Sequence, residues 1–130
     1  MKLNRLTLIA CLVFVPHFVS AQYYKNSVIA TIEEAAPLDQ AMAKVGDHVT
    51  ITGLDSKVAT WVWPISIDQK MTKIGDNNVL MVFQFVSGIG STDTLYLDKV
   101  NKKFLLVSVS TVLNSSGKPM SFWQYRGSFE

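Results

Sequence analysis

Few side chains in this sequence have the chemistry of catalysts or of soft metal ligands. The chain has two histidines, His17 and His48, and a single cysteine, Cys11. A serine hydrolase triad would have to use His48 as its base, but the adjacent Asp47 cannot orient that ring from the next position in a turn. The Gly-x-Ser-x-Gly elbow of the α/β-hydrolases is also missing from the sequence. These features predict a protein that is not an enzyme.

The carboxylates suggest neither a metal site nor a catalytic pair. Glu33 and Glu34 are adjacent, but they stand just before Pro37, where the N-terminus of a predicted helix favours negative charge. The aspartates are too scattered for a calcium loop, which needs several oxygen ligands at set spacings. Zinc usually draws on several nitrogen or sulfur ligands, and His48 alone is left after residue 21. We therefore expect no metal and no cofactor.

The first 21 residues have the three parts of a secretory signal peptide. Lys2 and Arg5 provide the charged start, residues 6–15 form the apolar run, and small residues follow at 19–21. The apolar run is about half of the roughly 20 residues that cross a bilayer. We therefore expect cleavage before Gln22 and no stable membrane insertion.

A second interpretation of this segment concerns residues 8–11, Leu-Ile-Ala-Cys, which have the pattern of a bacterial lipoprotein box. Cys11 would then be lipidated and become the new N-terminus. Only residues 6–10 would form the apolar region before it, which is short for a signal, and the chain stays apolar after Cys11. A cleavable signal over residues 1–21 is therefore the preferred prediction.

Removal of the signal changes the composition of the chain. The whole sequence has 12 Lys+Arg and 10 Asp+Glu, and Lys2 and Arg5 leave with the signal, so residues 22–130 carry 10 of each. A neutral chain offers no electrostatic basis for binding nucleic acid or an anionic membrane. Without Cys11 no disulfide can form, which suits the bacterial periplasm better than a eukaryotic extracellular space. We expect one periplasmic domain over residues 22–130.

Hydrophobic periodicity predicts one helix and several strands. Pro37 suits the first position of a helix, apolar residues recur at 38, 41, 42 and 45, and Gly46 is suited to end it. Strands are predicted at residues 27–32, 48–54, 57–63, 79–86, 94–100, 104–113 and 120–129. Six or seven strands with one short N-terminal helix predict a mainly β protein (α+β at the margin). The architecture would be a small antiparallel β-barrel or a strongly curved sheet.

Two of these strands carry predictions about their faces. Residues 79–86 are almost wholly apolar, which predicts a central strand covered on both sides. In the strand at 104–113, alternation predicts one face in the core and one outside. The residues expected to face the core are Leu105, Val107 and Val109, and those expected to face outward are Ser108 and Ser110.

Aromatic residues provide the clearest signal for binding. Trp61 and Trp63 share one face of a predicted strand, and Trp123 and Tyr125 repeat this arrangement next to Arg126. If the two strands are neighbours, the four rings would form one exposed ledge of the kind that anchors interfaces. Alternatively, the same rings fill one side of the core.

Two loops, at residues 88–93 and 114–119, add candidate contacts, because loops carry function more often than strands. The expected partner-binding residues are Trp61, Trp63, Ser91, Asp93, Ser116, Lys118, Trp123, Tyr125 and Arg126. We predict a non-enzymatic binding protein, an inhibitor or immunity-type protein whose partner is an exported toxin or hydrolase. The alternative is a β-barrel that binds a small apolar ligand or an envelope component in its interior.

Overall fold

The computed structural model describes residues 26–37, 42–88 and 90–130, which form eight strands and, within these ranges, no helix. The strands are β1 (Ser27–Ala36), β2 (His48–Thr52), β3 (Val58–Val62), β4 (Asp68–Asp76), β5 (Leu80–Val86), β6 (Ser91–Asp98), β7 (Lys103–Ser110) and β8 (Phe122–Phe129). Each strand pairs antiparallel with the next, and β8 pairs with β1, so the sheet closes into a barrel. The prediction of a mainly β protein is confirmed, and the barrel has eight strands rather than six or seven.

Closure between β1 and β8 depends on a glycine. The pairing register shifts between Ile32 and Glu34, which marks a β-bulge in β1. Gly127 lies at this point, opposite Ile32 on one side and Phe104 on the other. A Cβ atom at position 127 would lie 1.9 Å from the carbonyl oxygen of Thr31 and 2.6 Å from Cε1 of Phe104. Glycine therefore permits the close approach that closes the barrel.

Residues 42–46, which were expected to complete a helix, are not helical and end in a turn. The Gly46 amide donates to the Ile32 carbonyl at 2.8 Å, and the Ile32 amide donates to the Asp47 carbonyl at 2.9 Å. Gly46 has a φ of 93°, which glycine adopts readily. The helix prediction is wrong for these residues, because backbone groups at the end of the segment bond to a strand. Residues 38–41 lie outside the described part of the chain. No helix in the described part is long and apolar enough to cross a membrane.

The sequence pattern misses β4, because two of its inward positions are polar. Gln69 and Lys73 alternate with the buried Met71. Lys73 Nζ donates to the Leu54 carbonyl at 2.8 Å, and Gln69 forms hydrogen bonds inside the barrel. Polar groups that have partners can occupy an inner face, but they remove the apolar alternation that identifies a strand.

The outer face of β5 is not covered, because the barrel wall is a single layer. Met81 and Phe83 are buried and point inward. On the outer face Leu80 and Val82 are half-buried and Val86 is exposed. The expectation that this strand is covered on both sides is therefore wrong.

The inward face of β7 is the opposite of the expected one. Phe104, Leu106 and Ser108 are buried, whereas the residues at 105, 107 and 109 are only half-buried. Apolar residues occur on both faces of this strand, so the sequence pattern does not decide which face turns inward. The register of pairing with the neighbouring strands decides which face turns inward. Leu106 lies between Leu95 of β6 and Tyr125 of β8, and neither of these two residues has exposed surface.

The two ends of the barrel differ in their connections. At one end, here called the short-loop end, the strands are joined by residues 53–57, 77–79 and 99–102. At the other, the long-loop end, they are joined by residues 37–47, 63–67, 87–90 and 111–121.

A cluster of ion pairs closes the short-loop end. Asp76 Oδ1 accepts a hydrogen bond from Lys99 Nζ at 2.5 Å, and Oδ2 accepts one from Lys73 Nζ at 3.2 Å. Lys99 is buried and also donates to the Asn77 carbonyl at 2.5 Å. Burial alone would raise the pKa of Asp76, but the hydrogen bonds and charges of Lys99 and Lys73 outweigh it and lower the pKa. Asp76 thus forms ion pairs with two lysines.

Replacing Gly127 with alanine should destabilise the barrel by about 3 kcal/mol, because the new Cβ atom would overlap backbone that cannot move without breaking the β1–β8 pairing. Gly88→Ala is the matched control, since a Cβ atom there has no neighbour within 4 Å. Urea unfolding followed by circular dichroism measures both. Equal stability of the two variants would contradict the close approach at Gly127.

Replacing Asp76 with asparagine should cost about 2 kcal/mol at neutral pH, because the buried Lys99 loses its anionic partner. The folded-state pKa of Asp76 is lowered. Its contribution is therefore present above the ordinary value of 3.8 and is lost as the pH falls through the folded-state value. Urea unfolding should show a larger gap between wild type and variant at neutral pH than at about pH 3. Asp55→Asn, an exposed site at the same end, should leave stability unchanged, and a pH-independent gap for Asp76→Asn would contradict this account.

Candidate functional site

Four aromatic rings form a continuous cluster inside the barrel. Edge-to-face contacts join Trp61 to Trp63 at a centroid distance of 5.3 Å, and Trp63 to Tyr125 at 5.3 Å and to Trp123 at 6.0 Å. Trp123 and Tyr125 are 5.2 Å apart. β3 and β8 are not hydrogen-bonded neighbours. The rings meet because side chains from different parts of a closed wall converge in the same lumen.

The burial of these rings corrects the expected exposed ledge. Trp61 and Tyr125 have no exposed surface, and Trp63 is 3% exposed. Trp123 is half-buried. At least three of the four rings therefore fill the core, which is the alternative that the sequence left open, and they offer no contact surface to a partner protein. Arg126 alternates with Tyr125 and is exposed outside the barrel.

A hydrogen-bonded chain of three side chains adjoins this cluster. Trp63 Nε1 donates to Gln69 Oε1 at 3.2 Å, and Gln69 Nε2 donates to Asp93 Oδ2. Asp93 is only 5% exposed. The sequence places Asp93 and Ser91 in a loop, but both belong to β6, and Ser91 is half-buried. Asp93 therefore contacts the lumen rather than the surface.

Three polar atoms in the lumen have no hydrogen-bond partner among the described residues. They are Trp61 Nε1, Asp93 Oδ1 and the Tyr125 hydroxyl. Burial raises the pKa of Tyr125 to about 12; the Ala43 amide opposes the rise without reaching hydrogen-bonding geometry, and the charge of Asp47 adds to it. The phenol therefore stays neutral near pH 7. Buried polar atoms usually have hydrogen-bond partners. A water molecule or a ligand atom placed beside any of these three atoms would therefore form a hydrogen bond with it.

The connection between β7 and β8 is an ordered hairpin that stands clear of the barrel. Every residue from 111 to 122 is exposed. The Met120 amide donates to the Val112 carbonyl at 2.8 Å, and Leu113 forms a β-bridge with Pro119. Backbone pairing therefore continues beyond the ends of β7 and β8. We call residues 111–121 the projecting hairpin.

The side chain of Asn114 organises the tip of the projecting hairpin. Its Oδ1 accepts hydrogen bonds from the amides of Ser116 and Lys118, both at 3.0 Å, and from the Ser116 hydroxyl at 2.7 Å. The Thr111 amide, at the base of the hairpin, donates to the Gly90 carbonyl at 2.8 Å. Ser116 and Lys118, two of the expected partner-binding residues, are thus exposed at a tip of defined conformation.

Three of the four connections at the long-loop end are apolar and poor in charge. The large apolar side chains of this end that are about half exposed or more are Val45, Ile65, Ile67, Val86, Val112, Leu113, Met120 and Phe122. Three of its four connections, residues 63–67, 87–90 and 111–121, contain one charged side chain, that of Lys118, whereas residues 37–47 contain Asp39, Lys44 and Asp47. The three connections of the short-loop end contain four, those of Asp55, Lys57, Lys99 and Lys102. The three loops at residues 63–67, 87–90 and 111–121 are therefore poorer in charge than the connections of the short-loop end.

The sequence analysis did not identify these apolar residues as a group. The scarcity of charge in each loop is visible in the sequence. What the sequence does not show is that three separate loops share one end, which depends on the strand count. Because the sequence pattern does not predict β4, it does not show at which end of the barrel residues 63–67 lie.

The side chains considered for catalysis have separate partners. His48 Nδ1 lies 3.0 Å from Thr31 Oγ1, and Asp47 Oδ2 accepts a hydrogen bond from the Lys44 amide at 2.9 Å. Asp47 therefore does not orient His48. Within the described ranges, no group of three or more His, Cys, Asp or Glu side chains could hold a metal ion.

A shallow groove of about 410 Å³ lies on the outer wall. Its lining includes Glu33, Glu34, Leu80, Tyr96, Leu105 and Arg126. Glu33 pairs with Lys103 at 3.4 Å, and the pKa of Glu33 is lowered chiefly by a hydrogen bond with Ser128 and also by Lys103. Glu33 is thus stabilised in its charged form, unlike a general acid, whose pKa is typically raised.

Comparison with known proteins returns no match to a protein-family model, to a curated protein or to a solved structure. The function therefore has to be inferred from the geometry of this chain.

Replacing Tyr125 with phenylalanine should stabilise the protein by about 1 kcal/mol, because the change removes a buried hydroxyl group that has no partner. Urea unfolding measures the difference. Tyr96→Phe is the control, since the Tyr96 side chain is partly exposed on the outer wall and water can bond its hydroxyl. A clear loss of stability in Tyr125→Phe would show that its hydroxyl is bonded in the folded protein.

Proposed function

We propose that this chain is an exported, non-enzymatic binding protein that contacts another protein through its long-loop end. An inhibitor or immunity-type protein of the periplasm, acting on an exported toxin or hydrolase, fits this description. The observation that carries the proposal is the set of exposed apolar side chains on three loops at that end, in which Lys118 is the single charged residue. The predicted signal over residues 1–21 lies outside the described residues and supplies the expectation of export.

The composition of this surface is that of an interface centre. Charged residues are depleted at the centres of protein interfaces, while aromatic residues and methionine are enriched. The long-loop end carries Met120 and Phe122, 63% and 54% exposed, and has Lys118 as the single charge in three loops. Large exposed apolar side chains that cluster at one part of a surface often mark interaction sites.

The projecting hairpin favours a protein partner that has a cleft. Its backbone hydrogen bonds and the Asn114 contacts already define its conformation. Binding would therefore cost little conformational entropy, because few groups have to become ordered. Val112, Leu113 and Met120 would enter the cleft, and Ser116 and Lys118 at the tip would form its polar contacts.

The alternative of an apolar ligand inside the barrel has less support. Trp61, Phe83 and Tyr125 have no exposed surface and occupy the lumen. An eight-stranded barrel has an interior that side chains can fill completely or that holds one small ligand. In the middle of this barrel the side chains occupy that space.

The test compares two exposed apolar residues at opposite ends. Leu113 lies in the projecting hairpin and Val100 lies at the short-loop end, and both are 58% exposed. Leu113→Ser should weaken partner binding about tenfold or more, because it removes an apolar anchor. Val100→Ser should not weaken it. Both should keep wild-type stability to within about 0.5 kcal/mol.

The measurement is quantitative recovery of proteins from the periplasmic or extracellular fraction of the source organism on immobilised wild type, Leu113→Ser and Val100→Ser. A protein retained by wild type and Val100→Ser but lost from Leu113→Ser supports the proposal, and its affinity is then measured with purified components. Equal recovery on all three, or binding to lipid vesicles that Leu113→Ser alone abolishes, contradicts it.

A further inference from the structure

We propose that Asp93 and the aromatic rings beside it form a binding site for the ammonium group of a small organic cation, which enters from the long-loop end. The site lies in the lumen and not on the loop surface, so it is independent of the protein contact proposed above.

The site is a layer of side chains near the long-loop end, from which one further inward pair, Ser91 and Ser110, separates it. Phe85, Asp93, Ser108 and Trp123 are successive cross-strand partners on the inner faces of β5 to β8. Phe85 and Trp123 are half-buried. The barrel is therefore less tightly closed at this layer than below it.

The next layer down is completely closed. It consists of Phe83, Leu95, Leu106 and Tyr125, which are again successive partners, and none of them has exposed surface. This layer is the floor of the proposed site. A ligand at Asp93 would thus be held between a packed floor and the loops.

A hydrogen bond orients the carboxylate of Asp93, but only one of its two oxygen atoms has a partner among the described residues. Its Oδ2 accepts a hydrogen bond from Gln69, which is held in turn by Trp63. Its Oδ1 has no partner among the described residues, and no described lysine, arginine or histidine forms a salt bridge with it. A carboxylate that is 5% exposed and has no counter-ion among the described residues carries a desolvation cost. An ammonium group would offset that cost.

The neighbouring rings favour an organic cation. Trp is the best aromatic partner of a cation, and aromatic cages are the usual receptors for quaternary ammonium groups. Trp63 and Trp123 are 6.0 Å apart, and Trp63 is linked to Asp93 through Gln69. A metal ion fits less well, because no described cluster of three metal-ligating side chains includes Asp93.

Binding has to displace a ring. Asp93 Oδ1 is closed to solvent, and the two half-buried rings of its layer are those of Phe85 and Trp123. Movement of Trp123 changes the environment of an indole, so ligand binding should change the tryptophan fluorescence.

The experiment titrates the full-length protein with choline and with ethanolamine by calorimetry and by tryptophan fluorescence, at constant ionic strength. The neutral probe is the carbon isostere of choline, in which a tert-butyl group replaces the trimethylammonium group. We expect saturable binding of at least one of the two amines and binding of the isostere that is at least about tenfold weaker, because only a charged group engages Asp93.

Two variants separate the site from general electrostatics. Asp93→Asn keeps the shape of the side chain and its bond from Gln69, and should weaken amine binding about tenfold or more. Asp68→Asn removes an exposed charge at the first residue of β4 and should change it less than about twofold. Near-ultraviolet circular dichroism verifies the fold of each variant.

Two outcomes overturn the proposal. One is saturation by neither amine in the wild type, and the other is binding of the neutral isostere as tight as that of choline. Neither outcome depends on the folding of a variant. Leu113→Ser should leave amine binding unchanged, so failure of this proposal and failure of the protein-contact proposal are distinguishable.

Discussion

The pairing of β8 with β1 is the constraint on which the rest of the structure depends. Gly127 permits it, because any larger residue would place its Cβ atom on the Thr31 carbonyl. Without this pairing both strands would have open edges, with unpaired backbone groups that invite aggregation. With it, eight inner faces share one lumen, which is why the rings of Trp61 and Trp63 contact those of Trp123 and Tyr125 from strands that are not neighbours.

The two ends of the closed barrel also differ in the side chains that they carry. At the short-loop end the carboxylate of Asp76 is shared by Lys99 and Lys73, and this cluster stabilises the folded chain. At the long-loop end three of the four loops together carry one charge, that of Lys118, and the projecting hairpin has its own backbone pairing. The apolar side chains there are not needed to fill the lumen, which the inner faces of the strands already occupy. They are therefore available for contact with a partner.

Alternation along single strands was predictable, whereas the choice of the inward face was not. The shared face of Trp61 and Trp63 follows from a period of two residues and is present in the structure. For β7 the same period allows two arrangements, and the register against Leu95 and Tyr125 selects the one that buries Leu106. The position of Asp93 could not be predicted from the sequence either. A polar residue beside a glycine-rich segment has the pattern of a loop residue, but in the structure Asp93 pairs with Ser108 and lies in the lumen.

The sequence by itself determined the class of this protein, because β-branched and aromatic residues at alternate positions form strands in almost any context. The sequence also determined that few side chains after residue 21 are of the types that serve as soft metal ligands or catalytic bases, since this part has one histidine and no cysteine. The tertiary structure alone decided which rings are buried, which loops share an end and which buried carboxylate has no counter-ion among the described residues. Those properties depend on strand count and register, which arise from contacts between residues far apart in the chain.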